Sequence, residues 1–107
     1  MLLFCAPVLR DEFREQPPES VEVVEGGHAR LPCRPPRGEP EPGVRWSKDG
    51  EALGGAEGPT GLMFVDEEGS LMVLNARRGD AGVYICVGFN IAGERQSNPT
   101  HLAVRGN

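Results

Sequence analysis

The stretch Asp80-Ala81-Gly82-Val83-Tyr84-Ile85-Cys86 decides which fold this chain can adopt. Its final cysteine has a counterpart in Cys33, and Trp46 lies between the two cysteines in the sequence. A tyrosine two residues before the second cysteine, with a tryptophan between the cysteines, is typical of two packed β-sheets that a disulfide joins. We therefore expect Cys33 and Cys86 to form a disulfide across two sheets, with Trp46 packed against it.

The same pattern predicts an all-β fold, a two-sheet immunoglobulin sandwich with Greek-key connections and one inter-sheet disulfide. We expect five residues to form the core signature of this fold, namely Trp46, Leu71, Asp80, Gly82 and Tyr84. Alternating apolar residues between turn signals place the strands at residues 20–25, 29–34, 44–47, 62–65, 70–74, 83–88 and 94–104. Residues 35–43 are rich in proline, which cannot donate to a β-ladder, so we expect a stiff loop there. The irregular residues 51–61 are expected to form one short strand or none.

Length and composition favour a small extracellular module. The chain has 107 residues, the size of one sandwich domain, and only 38% of them are hydrophobic. A disulfide that closes so long a loop contributes roughly 4 kcal/mol, a large share of the about 5–15 kcal/mol that stabilises a domain. We therefore expect an oxidising compartment. The net charge of −5 disfavours a nucleic acid as the partner.

The beginning of the chain differs from the rest. Residues 1–16 are expected to form an N-terminal extension and inter-domain junction, and residues 17–105 the immunoglobulin-like domain. The apolar residues 1–6 are too few for the hydrophobic region of a signal peptide and cannot span a bilayer. We therefore expect a part of a longer receptor on the extracellular face of the plasma membrane. Cys5, the third cysteine, is expected to be a free thiol.

The sequence offers little for catalysis or metal binding. His28 and His101 have no carboxylate or cysteine at ligand spacing, and no serine or cysteine lies in a nucleophile motif. We expect no enzyme, no cofactor and no metal site. Arg78-Gly79-Asp80 spells a tripeptide that integrins bind, but Asp80 belongs to the tyrosine corner, so a structural role is expected.

Two sets of residues are candidates for contact with a partner. Alternation around an inward-pointing Tyr84 and Cys86 turns an apolar row outward, namely Val83, Ile85, Val87 and Phe89. This row is either a protein contact or ordinary strand packing covered by long neighbours. A basic set comes from two strands and the loop between them, namely Arg30, Arg34, Arg37, Arg45 and Lys48. Alternation scatters these cations over two sheets, so they are either solvated surface or a contact for a sulfated glycosaminoglycan.

Three blocks of sequence resemble one family of receptors. The first is Val8-Leu9-Arg10-Asp11-Glu12-Phe13-Arg14 with Pro17. The second is Cys33-x-Pro35-Pro36-Arg37-Gly38-x-Pro40-Glu41-Pro42, followed by Trp46-x-Lys48-Asp49-Gly50. The third is Leu71-Met72, followed by Asp80-Ala81-Gly82-x-Tyr84-x-Cys86-Val87-Gly88-x-Asn90 and ending at Gly93-Glu94-Arg95. Together these blocks resemble the second immunoglobulin domain of Roundabout receptors over residues 7–104.

The resemblance implies an I-set domain of a single-pass receptor that guides axons and migrating cells by binding Slit proteins with heparan sulfate. The implied partners are a Slit-like protein ligand or co-receptor, a second receptor copy, and heparan sulfate. In that family the first domain carries most of the Slit contact. An arginine that often partners the corner aspartate is missing from residues 58–61, so we expect either a looser corner or recruitment of Arg77 or Arg78. The alternatives are an I-set domain of another cell-adhesion molecule or of an intracellular muscle scaffold.

Overall fold

The computed structural model describes residues 6–53 and 62–106, and strands dominate both segments. The strands are β1 (Val8–Glu15), β2 (Ser20–Val24), β3 (Ala29–Leu31), β4 (Arg34–Glu39), β5 (Gly43–Lys48), β6 (Glu51–Ala52), β7 (Leu62–Val65), β8 (Leu71–Leu74), β9 (Gly82–Asn90), β10 (Gly93–Gln96) and β11 (Thr100–Arg105). A single 3₁₀ turn, Arg78–Asp80, lies between β8 and β9 in the described chain. The predictions for Cys5 and for residues 58–61 fall outside the described residues.

Two sheets form the body of the domain. One sheet has the strand order β2-β11-β9-β5-β6, with β10 pairing with β9, and the other has the order β3-β8-β7. β2 is parallel to β11, whereas the other pairs are antiparallel. The disulfide between Cys33 and Cys86 joins the two layers, with 6.6 Å between their Cα atoms. The predicted all-β immunoglobulin sandwich and its inter-sheet disulfide are confirmed.

The core lies between the two layers and is centred on the disulfide. Trp46 is 1% exposed, and its indole Nε1 donates to the carbonyl oxygen of Gly69 at 2.9 Å. This bond satisfies the one polar atom of a buried tryptophan and ties β5 to the β7–β8 hairpin of the opposite sheet. Leu31 of β3 and Leu71 of β8 are paired neighbours in the opposite sheet, and both are buried because strand alternation turns them toward the core.

A buried corner precedes β9. The hydroxyl of Tyr84 donates to the carbonyl oxygen of Asp80 at 2.5 Å, and Oδ2 of Asp80 accepts from the backbone N–H of Arg77 at 2.9 Å. Both side chains are fully buried. Gly82 is the first residue of β9. A Cβ at this position would lie 2.7 Å from the Asp49 carboxylate, and that carboxylate accepts from the backbone N–H of Val83. A larger residue here would displace the Asp49 side chain from its bond to Val83.

The structure corrects the loop predicted at residues 35–43. Arg34–Glu39 is strand β4, which pairs antiparallel with β1 in a separate two-stranded sheet. Pro35 and Pro36 are buried, and a Cβ at Gly88 of β9 would lie 2.9 Å from Pro36 and 3.0 Å from Pro35. The prolines thus pack flat against a glycine of the main sheet. A two-stranded ladder tolerates them because each strand has a free edge.

The single strand predicted at residues 94–104 is two strands in the structure. β10 and β11 are separated at residues 97–99, where Asn98-Pro99 interrupts the ladder because proline has no N–H. Ser97 replaces one ladder bond, since its hydroxyl oxygen accepts from the backbone N–H of Cys86 at 2.9 Å. The short strand expected within residues 51–61 is β6, and the predicted hairpin of residues 62–74 is formed by β7 and β8.

Candidate interaction surfaces

The five basic residues predicted as a heparan contact do not form one patch. Arg30, on β3, makes ion pairs with Glu68 at 3.4 Å and Asp66 at 4.0 Å. Arg45, on β5 in the other sheet, pairs with Glu94 and lies 5.0 Å from the ring centroid of Phe89. Each of these arginines therefore already forms an ion pair with a neighbouring carboxylate.

The remaining three members of the basic set lie at two separate places on the surface. Lys48 pairs with Asp49 at 3.2 Å beside the β5–β6 turn. The N–H of Val83 and the Lys48 ammonium hold the pKa of Asp49 below its ordinary value. Arg34 and Arg37 lie together on β4 and line the same groove. Of the predicted set, the structure thus brings only these two arginines together.

An arginine groove forms where β1 lies beside β4. It is open, has a volume of about 840 Å³, and is lined by Arg10, Asp11, Glu12, Phe13, Arg14, Arg34 and Arg37. Arg10 and Arg14 come from β1, and Arg34 and Arg37 come from β4. Arg10 and Arg14 were not among the basic residues predicted from the sequence, because residues 1–16 were assigned to a junction outside the domain. The alternation of arginines with the apolar Leu9 and Phe13 was the available signal for a strand.

A bulge in β1 shapes the arginine groove. Leu9 pairs with Gly38 and Phe13 pairs with Pro36, so the three intervening residues of β1 oppose Arg37 alone. Extra residues on one strand bend it and increase its twist. Phe13 is half-buried against the core and forms an apolar part of the lining. The groove therefore combines guanidinium groups on two walls with one aromatic ring.

The charges of the arginine groove are only partly neutralised. Arg14 donates through Nε to the carbonyl oxygen of Pro35 at 2.8 Å and pairs with Glu41 at 3.2 Å. Asp11 is bound to Arg95 at 2.8 Å. Within residues 6–53 and 62–106, the structure shows no ion pair for the other three arginines of the groove, namely Arg10, Arg34 and Arg37. Guanidinium groups with free donors bind sulfate and phosphate oxygens in a bidentate fashion.

The apolar row of β9 is more covered than the sequence suggests. Val83, Ile85 and Phe89 are half-buried, and Val87 is only 6% exposed. Arg45 lies opposite Val87 in the neighbouring strand and covers the Phe89 ring, held there by Glu94. The use of the row as a protein contact stays a prediction. The four side chains of the row expose less surface than strand alternation alone indicates.

Another apolar surface lies on the outer face of the three-stranded sheet. Leu62 and Phe64 of β7 are 52% and 42% exposed, opposite Leu74 and Met72 of β8. The alternating apolar residues in this hairpin signalled two strands but did not show which face lacks cover.

The Arg78-Gly79-Asp80 tripeptide does not present its aspartate to solvent. Asp80 is fully buried and accepts the N–H of Arg77, so the aspartate needed by an integrin metal site lies inside the corner. No group of three or more His, Cys, Asp or Glu side chains that could hold a metal occurs among the described residues. In the same part of the chain, no helix has the length and apolar character to cross a membrane.

Known proteins resemble this chain in sequence and in fold. The family described as "Immunoglobulin I-set domain" matches residues 12–104. Human Roundabout homolog 2 and human Roundabout homolog 3 are 44% and 46% identical over 91% of this chain, which spans 7% of their length. Protein sax-3 of Caenorhabditis elegans is 42% identical over the same share of this chain, which spans 7% of that protein.

Solved structures show the same sandwich. "Tandem Ig repeats of Dlar" superimposes with a TM-score of 0.78 at 26% identity, over 94% of this chain and 49% of that one. An immunoglobulin domain from the structure of "the Titin M10-Obscurin like 1 Ig complex" has a TM-score of 0.71 at 32% identity. It covers 94% of this chain and 95% of that one.

These matches settle the class of the protein. The I-set family consists of non-enzymatic recognition domains, which confirms the expectation that the chain is not an enzyme. The family match begins at residue 12, inside β1, while the boundary placed at residues 16 and 17 stays a prediction. The chain belongs to the immunoglobulin I-set family, and it is a Roundabout-like member of that family.

Proposed function

We propose that this chain is an extracellular recognition module of a Roundabout-like cell-surface receptor that guides axons and migrating cells by binding a Slit-type protein together with heparan sulfate. The similarity to Roundabout proteins supports the receptor assignment. The disulfide between Cys33 and Cys86 supports an oxidising compartment, the outer side of the plasma membrane. The chain spans 7% of its Roundabout relatives, so ligand binding by this domain needs support from its own surface.

The arginine groove supports the heparan sulfate part of this proposal. The whole chain carries a net charge of −5, yet the groove gathers four arginines and only two carboxylates, Asp11 and Glu12. Ion pairs within the described residues involve Arg14 but none of the other three arginines, namely Arg10, Arg34 and Arg37. A local basic site on an acidic domain attracts polyanions to one place rather than to the whole surface. Sulfate esters carry three terminal oxygens on a tetrahedral sulfur, and two of these oxygens can accept parallel hydrogen bonds from one guanidinium group. We therefore move the proposed glycan contact from the five basic residues predicted by sequence to the arginine groove.

The contact with a Slit-type protein or a second receptor copy is assigned to the apolar row of β9. Val83, Ile85 and Phe89 keep part of their surface accessible, whereas Val87 is buried. A protein interface obtains most of its binding energy from a few desolvated apolar or aromatic residues. Phe89, with Arg45 stacked on its ring, offers one aromatic and one arginine anchor on the same face.

Affinity for a heparin-derived octasaccharide, measured by isothermal titration calorimetry, tests the glycan part. The double variant Arg34→Gln/Arg37→Gln is expected to bind at least about tenfold more weakly, because each charged hydrogen bond contributes about 1.5–3 kcal/mol. The matched control Arg30→Gln/Arg45→Gln removes two arginines that are already paired. It should bind within about twofold of the wild-type chain, a difference of about 0.4 kcal/mol. Equal losses of affinity in the two double variants would mean that glycan binding depends only on the total charge of the chain.

An intracellular scaffold is the second candidate function. It is favoured by the 32% identity to an immunoglobulin domain from the titin and obscurin-like complex, over 95% of that chain. The state of the cysteines distinguishes the two functions, because intracellular domains keep their thiols reduced. Thiol titration of the native chain should find one free thiol if Cys5 is free, and three after reduction and unfolding. Three thiols in chain purified without a reductant would favour the scaffold.

A further inference from the structure

Strand β1 is attached to the domain differently from the other long strands. It pairs with β4 in a separate two-stranded sheet, and neither core sheet contains it. Of its eight residues only Leu9 is buried, and Phe13 is half-buried. The bulge between these two residues interrupts its ladder. β1 therefore has few of the buried apolar contacts that hold β5 and β9 in place.

Polar contacts on the surface provide much of the attachment of β1. Arg95 donates to Asp11 at 2.8 Å and to the carbonyl oxygen of Leu9 at 3.0 Å. Asn90, at the end of β9, donates to the carbonyl oxygen of Val8 at 2.8 Å. Exposed ion pairs of this kind contribute little and are weakened by salt. Segments with few buried apolar contacts and exposed hydrogen bonds are those that open locally.

The arginine groove has one wall on β1 and the other on β4. Arg10 and Arg14 belong to the first wall, and Arg34 and Arg37 belong to the second. An anion that contacts both walls binds fully only when β1 is paired with β4. Such a ligand stabilises the paired state by mass action, in proportion to its preference for that state.

We propose that a sulfated ligand in the arginine groove acts as a clasp that locks β1 onto β4. This inference rests on the proposed function, because it takes the ligand to be the sulfated glycan assigned to the same groove. A simple salt lacks this effect, since it screens the Asp11–Arg95 and Arg14–Glu41 pairs as well as the repulsion between the arginines, and it does not bridge the walls. Residues 6–7 lead directly into β1, so the clasp also fixes the direction in which the chain enters the domain.

Hydrogen exchange with sucrose octasulfate as the probe tests the clasp. At a concentration ten times its dissociation constant, the probe is expected to slow the exchange of amides in residues 8–15 by up to about tenfold. Amides of the core strands β8 and β9 should change much less. Sodium chloride at matched ionic strength, which cannot bridge the walls, should not slow the exchange in residues 8–15. Calorimetry on the same samples reports whether the probe binds.

Variants separate the clasp from simple binding. Arg37→Gln removes one arginine of the β4 wall and should abolish most of the protection of residues 8–15, whereas Arg30→Gln, whose arginine pairs with Glu68 on another face, should keep it. Binding of the probe without protection of β1 would overturn the clasp and leave the glycan site intact. Full protection in the Arg37→Gln chain would also overturn the clasp. Absence of any binding would overturn both the clasp and the glycan site.

Discussion

The hydroxyl of Tyr84 lies 2.5 Å from the carbonyl oxygen of Asp80, and this bond closes the corner from which β9 begins. Burial, reinforced by the nearby carboxylates of Asp80 and Asp49, raises the pKa of Tyr84 above its ordinary value. The phenol therefore stays protonated and keeps donating throughout the neutral and mildly alkaline range.

The first prediction concerns the alkaline titration of this tyrosine. Because the pKa of Tyr84 is raised in the folded chain, its contribution to stability is complete below the ordinary pKa of about 10 and is lost as the pH rises above that value. Tyr84 is the only tyrosine and Trp46 does not titrate in this range, so the pH-dependent change in absorbance at 295 nm reports Tyr84 alone. We expect no tyrosinate signal at pH 11 until the chain unfolds. A signal that rises near pH 10 in folded chain would show that the hydroxyl is accessible.

The second prediction concerns the packing of Trp46. Replacement Trp46→Ala removes a side chain that is 1% exposed and the bond from Nε1 to Gly69. We expect a loss of about 3–5 kcal/mol in the free energy of unfolding, from the cavity and the lost apolar contact. Urea denaturation of the wild-type and variant chains measures the loss. A loss below about 1 kcal/mol, the size of a single hydrogen bond, would place the tryptophan outside the core.

The third prediction concerns the integrin-like tripeptide. Replacement Asp80→Ala should destabilise the domain by about 1–3 kcal/mol, because the N–H of Arg77 loses its acceptor. The exposed neighbour Arg78 gives the control, since Arg78→Ala should change the free energy of unfolding by less than about 0.5 kcal/mol. We expect the folded chain to support no cation-dependent cell attachment. Attachment that a competing Arg-Gly-Asp peptide blocks would contradict this.

The fourth prediction concerns the apolar row of β9. We expect the Ile85→Lys chain to stay folded and to remain monomeric in sedimentation at concentrations where wild-type chain associates. The reason is that a lysine in the centre of the row places a charge where the interface must lose water. Leu62→Lys on the opposite sheet is the control and should not change association. Association of Ile85→Lys chain equal to that of wild type would show that the row is ordinary strand packing.

The sequence was sufficient for the sandwich because Cys33, Trp46 and Tyr84 each have one place in this fold. It was not sufficient for the arginine groove, because the groove depends on the pairing of β1 with β4, two strands separated in sequence. The residues between Val8 and Glu15 are mostly charged and exposed, so apolar periodicity could not show which strand edge they join. Sequence reasoning also took Pro35 and Pro36 as loop residues, since only the structure shows Gly88 beneath them.

The apolar row illustrates a different limit. Alternation predicts that Val83, Ile85 and Val87 point away from the side of Tyr84, and the core cluster contains Tyr84 and Cys86 but none of these three residues. It could not show that Arg45 lies over the Phe89 ring, because this contact depends on the cross-strand register of β5 and β9. Long side chains that lie flat over apolar strands are set by such neighbours rather than by local pattern.

The central claim is that the arginine groove holds the sulfated ligand, and NMR of arginine side chains tests it most directly. The Nε–Hε signals of Arg10, Arg34 and Arg37 should shift as a heparin-derived octasaccharide is added to the labelled chain. The signals of Arg30 and Arg45, whose guanidinium groups are paired with Glu68 and Glu94, should stay in place. Shifts confined to Arg30 and Arg45, or no shift at saturating ligand, would contradict the claim.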